Sequence, residues 1–360
     1  MLNITLENTF EDKNYLIEKK EIEGDIDDDD IDITQNEVIS FMGNFSLAEY
    51  ASKLKSGIIK RPNFQRNEVW SNKQKSKLIE SFLASYPVPP VILYKEKGKE
   101  QYLIIDGFQR ITAISDYYNN EFKLIINNEK YKNKTYDKLP IEAREKLNNA
   151  FLNCTIVHEI APQERSKKFL YNLFERLNTG GKALNAMETR RAISYGKLIK
   201  ELEELNLNKY WREIYGKKEP DARFLDIELL LRLLVFYKNY DINNNSLVGY
   251  SAMRSFLDEY ISEHSEDSLG DFVSVFEKAV SLVFKTLGKN PFALNSVRPN
   301  YLILDSIMTA VLLLNSNVEN LKEKFVYILE SQKEYFNNKS GTQRKSRIEE
   351  RIKFAVEGLR

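Results

Sequence analysis

Residues 102–118, YLIIDGFQRITAISDYY, open with an apolar run, set Asp106, Gly107, Gln109 and Arg110 almost side by side, and then turn amphipathic. An apolar run that ends in a carboxylate and passes through glycine into a helical pattern is the strand-to-helix junction of an α/β unit. Backbone N–H groups at the start of such a helix form a ready anion site. Gly107 lets the chain approach a ligand closely, and Arg110 can grip phosphate oxygens in a bidentate fork. Gln109 can orient a water or a base. Asp106 can hold a metal ion or accept a proton from an attacking water, as phosphoryl transfer requires. The plainer alternative is that Asp106 caps the helix and Arg110 pairs with a surface acid.

On the N-terminal side, Ser46 is placed to cap a helix LAEYASKLKSG that stops at Gly57, and IIKRP reads as a short strand ended by Pro62. A second helix, SNKQKSKLIESFLASYP, starts at Ser71 and carries Leu78, Phe82 and Leu83 on one stripe. PVILYK and QYLIID read as strands, as does CTIVHEI further on. From Pro162 the pattern is almost continuously helical, without a fixed-period repeat. The fold class expected is α+β, with an acidic arm over 1–40, a small α/β domain over 41–160 and an irregular helical domain over 161–360 that completes the site.

The chain has 360 residues and no net charge, but residues 1–37 hold 13 acidic and 3 basic residues, so the rest is basic by about ten charges. That excess suits a polyanionic partner and equally suits a solvated surface. The acidic stretch is expected to be a loosely held arm. It is no EF-hand, because counting from Asp25 the glycine and glutamate positions of that loop hold Asp30 and Asn36. Cys154 is the only cysteine, which excludes a disulfide framework and a cysteine metal cluster and points to a reducing, cytoplasmic setting. The apolar runs are short and interrupted by Arg232 or Asp305, so no membrane span is expected.

Two further clusters bear on chemistry. IIKRPNFQRNEVWS gathers Arg61, Gln65, Arg66 and Trp70, a group of donors beside an aromatic platform. FERLNTGGKALNAMETRRA places Arg176 and Asn178 before a Gly180-Gly181 turn, then Lys182 and a new helix bearing Glu188 and Arg191. A glycine pair followed by lysine suits phosphate contact, although glycine pairs also simply stop helices. Neither a Walker-type nor a G-x-G-x-x-G motif occurs.

Together RPNFQRNEVWS, LIESFLASYPVPPVILY, YLIIDGFQRITAI and FERLNTGGKALNAMETRRA make residues 45–192 resemble the N-terminal domain family of GmrSD-type modification-dependent restriction enzymes, itself similar to the ParB/sulfiredoxin fold. The family signature is D-G-Q-Q-R, and Phe108 stands where the first glutamine is expected. The resemblance implies a nucleoside triphosphate bound with Mg²⁺ and hydrolysed in a ParB-like pocket. Asp106, Gln109 and Arg110 would be its catalytic residues, with Asp106 also on the metal. Arg61, Gln65, Arg66, Trp70, Gly107, Arg176, Asn178, Gly180, Gly181 and Lys182 would hold the nucleotide. In RFLDIELLLRLL, similar to a recurrent family helix, Arg223, Asp226 and Glu228 read as packing ion pairs.

Members of the family often carry a His-Asn-His nuclease domain. The two histidines here, His158 and His264, lie far apart and outside any metal-ligand pattern, so the chain is expected to be a stand-alone member that does not cut DNA by that route. Three functions stand open: a triphosphate-hydrolysing subunit of antiviral restriction-type defence; a non-enzymatic DNA-binding or scaffold module using the pocket as a nucleotide switch; and a metal-dependent DNA nuclease. The partners expected are a nucleoside triphosphate, duplex DNA, a separate nuclease or ATPase effector, and further copies of the chain in a homo-oligomer.

Overall fold

The computed structural model describes residues 38–60, 70–160, 170–171, 173–174, 184–293, 299–331 and 343–360. The chain divides at Leu184/Asn185 into two compact units.

In the first unit, Ser46 and Ser71 each start a helix through a reciprocal capping box. Ser46 Oγ accepts from Glu49 N while the Glu49 carboxylate accepts from Ser46 N, and Ser71 and Gln74 repeat the arrangement. Each box satisfies two of the N–H groups that a helix start leaves unpaired. These bonds hold the Glu49 carboxyl below its ordinary range. The helices are α1 (Leu47–Lys55) and α2 (Asn72–Leu83), joined by α3 (Phe108–Tyr118) and α4 (Ile141–Asn148). α2 buries Leu78, Ile79 and Phe82, whereas Leu83, expected on the same stripe, is only partly covered.

Five strands, β1 (Val38–Ser46), β2 (Ile59–Lys60), β3 (Val91–Lys95), β4 (Tyr102–Asp106) and β5 (Phe151–Glu159), form one sheet in the order β1-β5-β3-β4-β2. β1 runs antiparallel to β5 over all nine of its residues, β3 is parallel to β5 and antiparallel to β4, and β2 is parallel to β4. The sheet is therefore mixed. β1 begins at Val38, inside the stretch assigned from sequence to the arm, and no strand was expected there. Its residues lack a clean alternation, because edge position leaves both of its faces partly exposed. α1 to α3 cover the sheet through a core that includes Tyr50, Ile79, Val91, Ile104, Ile111 and Ile156.

The second unit is helical: α5 (Ala186–Ser194), α6 (Lys197–Asn206), α7 (Lys209–Tyr215), α8 (Leu225–Asn239), α9 (Met253–His264), α10 (Asp271–Leu287), α11 (Tyr301–Leu313), α12 (Leu321–Ser331) and α13 (Lys345–Leu359), with a short hairpin of β6 (Tyr240–Asp241) and β7 (Ser246–Leu247). The helical pattern is interrupted between α5 and α6, where Tyr195 and Gly196 take extended backbone conformations, and a Cβ at Gly196 would meet the Ser265 carbonyl at 2.2 Å, so the close approach there requires glycine. Among the described residues no helix is long and apolar enough to cross a membrane.

The second unit holds its helices together with buried ion pairs. Arg223 meets Glu188 at 2.7 Å, Arg212 meets Asp226 at 2.7 Å, and Arg190 joins both Glu228 and Asp258. Asp305 takes Arg232 and Arg351 together, each of the three side chains at most 1% exposed. Arg223, Asp226 and Glu228 are thus packing ion pairs, as read from sequence, and Glu188 belongs to the same set. Burial pushes the Asp258 carboxyl up to about 6, against the opposing pull of Arg190 and Arg254.

Candidate functional site

The turn at the end of β4 is built by three local features. The β3/β4 register slips between Ile92 and Leu93, so Asp106 lies opposite Ile92 beyond a bulge, a device that re-aims the end of a strand. Gly107 then takes φ +90° and ψ 15°, the left-handed conformation that glycine adopts without a Cβ clash. A Cβ there would meet Val91 Cγ1 at 2.3 Å, so both backbone and space demand glycine. α3 starts at once, with Ile111 N donating to Gly107 O and no side chain capping the helix.

Asp106 is therefore not a cap. Its Oδ2 accepts from Arg110 Nη2 at 2.6 Å, one turn along, while Arg110 Nη1 donates to the Pro89 carbonyl at 2.9 Å. Arg110 is largely covered (15% exposed) and Asp106 is open (46%), so the pair presents its carboxylate to solvent. Gln109 Oε1 accepts from Trp70 N at 3.1 Å, which ties the start of α2 to the start of α3. Lys75, in the first turn of α2, meets Asp116, near the end of α3, at 2.6 Å and links the same two helices further along. Trp70 and Phe108 both pack against the core. Phe108, the departure from the family signature, thus has a packing role at a position where an amide was expected.

The fold brings together Trp70, Asp106, Gly107, Gln109 and Arg110 of the residues singled out from sequence. Arg61, Gln65, Arg66, Arg176, Asn178, Gly180, Gly181 and Lys182 lie outside the described residues. Among the described residues no group of three His, Cys, Asp or Glu side chains could hold a metal ion. Asp106 supplies a single carboxylate, which suffices for Mg²⁺ only when phosphate oxygens complete the shell. His158 sits in β5, and His264, at the end of α9, faces Asp267 at 2.7 Å.

Sequence reading missed a second feature. In the helical unit, an open groove where α7 meets α10 is lined by Lys209, Lys278 and Lys285, with Glu277 and Tyr210 among them. Tyr210 stacks on Phe284 at 5.0 Å, and Lys209 lies 4.8 Å over its ring. The lysines at 278 and 285 recur at helical spacing on α10, a signal legible only once α7 is known to lie beside them.

Neither the curated proteins nor the solved structures give a match to the chain. One family model matches, that of the GmrSD restriction endonuclease, N-terminal domain, over residues 47–195. The match spans the capped helices, the sheet from β2 to β5, the Asp106–Arg110 turn and α5. Residues 47–195 are thus similar to the GmrSD restriction endonuclease, N-terminal domain, a likeness that implies a component of a restriction-type defence system.

Proposed function

We propose that the Asp106–Arg110 turn is the phosphate end of a ParB-like pocket that binds and hydrolyses a nucleoside triphosphate on behalf of restriction-type DNA defence. The observation that carries this reading is the uncapped start of α3 behind a left-handed Gly107, set directly beside an Asp–Arg pair whose carboxylate is open to solvent. Helix N–H groups and a guanidinium favour bound phosphate oxygens without needing a Walker loop. Trp70, whose backbone N–H is tied to Gln109, would supply the aromatic ring on which a base stacks. Asp106 would hold Mg²⁺ together with phosphate oxygens, where the ion's chemistry is to offset charge on the transferred group. Arg110 orients Asp106 and draws charge from the phosphates, and Gln109 fixes the Trp70 segment.

A second reading, a DNA-binding module that uses nucleotide only as a switch, draws on the lysine groove of α7 and α10. Its three lysines against one glutamate, arranged around an aromatic ring, suit a phosphodiester backbone.

The test is phosphate release from the four common ribonucleoside triphosphates with Mg²⁺, with and without duplex DNA, for wild type, Asp106→Ala and Arg110→Ala. Folding of each variant is checked by circular dichroism. Release that is lost in both folded variants supports the hydrolase. No release from any nucleotide by the wild type, with salt-sensitive DNA binding intact in both variants, rejects hydrolysis and favours the switch.

A further inference from the structure

β1 is the least guarded strand of the sheet. Among the described residues it has a neighbour, β5, on one side only, and it runs for nine residues. Its sequence, VISFMGNFS, has no charge and no proline. An edge strand exposes a row of N–H and C=O groups that templates another strand, and proteins blunt such edges with lysine, proline, inward charge or shortness. β1 uses none of these devices. Ile39, Phe41 and Met42 are 48, 46 and 68% exposed. Ile39 and Phe41 lie on one face of the strand and Met42 on the other, because side chains alternate. Apolar surface therefore flanks the edge on both sides, as expected where the edge itself, and not one face, is covered.

We propose that β1 is a dimerisation strand, to which a second copy of this chain adds its own β1 antiparallel across a two-fold axis. In such a contact the residue on the axis faces its own image and its neighbours lie close to theirs, so a charge near the axis would lie close to a like charge. A neutral strand satisfies that condition, whereas a charged peptide partner would find no complement on it. With the axis at Met42 all nine residues pair: Met42 faces its image, Ile39 faces Phe45 and Phe41 faces Gly43 of the other copy. The last pairing lets an aromatic ring cover a glycine, which stabilises edge pairing.

The test is the mass of the full chain in solution over a range of concentrations, by light scattering after gel filtration, for wild type and a Phe41→Lys/Met42→Lys variant. Wild type should reach twice the chain mass of 42.1 kDa. The variant, checked for folding by circular dichroism, should dissociate at least about a hundredfold more readily, because the lysines introduced at Met42 would face each other across the axis and those at Phe41 would remove the ring over Gly43. A second arm fixes the register with introduced cysteines, since the native Cys154 is buried. Met42→Cys should oxidise to a linked dimer. Ile39→Cys should not, because its image lies about 20 Å along the strand. A wild-type monomer at every concentration overturns the proposal. So does a dimer that is indifferent to the lysines and unlinked at Met42→Cys.

Discussion

Replacing Gly107 by alanine should cost about 2–5 kcal/mol of stability in the α/β unit. Two terms add. The left-handed backbone at φ +90° costs a residue with a Cβ roughly 1–2 kcal/mol. The new methyl would also lie 2.3 Å from Val91 Cγ1 and 2.7 Å from Val91 Cβ. Val91 is fully buried and β-branched, so it cannot swing aside, and forced overpacking adds about 1–3 kcal/mol. Gly57 is an internal control, since it has φ +74° but no atom within 4 Å of a built Cβ, and Gly57→Ala should show the backbone term alone. Urea unfolding of both variants at unchanged slope measures the difference. Adding Val91→Ala to Gly107→Ala should recover about 1–2 kcal/mol relative to the sum of the single changes, because the two side chains compete for one space. If Gly107→Ala costs no more than Gly57→Ala, and the double variant is additive, the turn is not sterically locked and the placement of Asp106 beside α3 loses its explanation.

Three further outcomes follow from the buried charges. Asp305→Asn should destabilise the helical unit by about 3–5 kcal/mol, because it strips the counter-charge from both Arg232 and Arg351; replacing all three by apolar residues of similar volume should restore most of that loss in thermal unfolding. The Asp258 carboxyl, pushed up to about 6 from an unfolded value near 3.9, favours the folded state most below pH ~4, and that contribution of about 3 kcal/mol is lost as pH rises through 6. Asp258→Asn keeps an acceptor for Arg190 Nε, so its stability measured by urea unfolding should be flatter between pH 4 and 7 than that of the wild type. A wild type whose stability does not fall over that window at this site would show that the Arg190 pairing outweighs burial.

Much of the first unit was legible because its signals are local. A serine followed three residues later by glutamate or glutamine fixes a helix start, and it did so at both Ser46 and Ser71. Strand, glycine, helix in YLIIDGFQR placed the turn, whereas the pairing of Asp106 with Arg110 was not read, the plainer alternative having made Asp106 a cap and given Arg110 a surface acid. β1 was missed because an uncharged nine-residue run with neither helical nor alternating period reads as a strand only when its partner, more than a hundred residues away, is known.

The sequence by itself determined the helix starts, the glycine turn and the family likeness, since each depends on side chains within a few positions of one another. Only the tertiary structure decided the strand order, the clash that makes Gly107 obligatory, the partners of each buried arginine and, among the described residues, the edge position of β1. Those depend on which distant segments share a volume, and chain spacing carries no record of that.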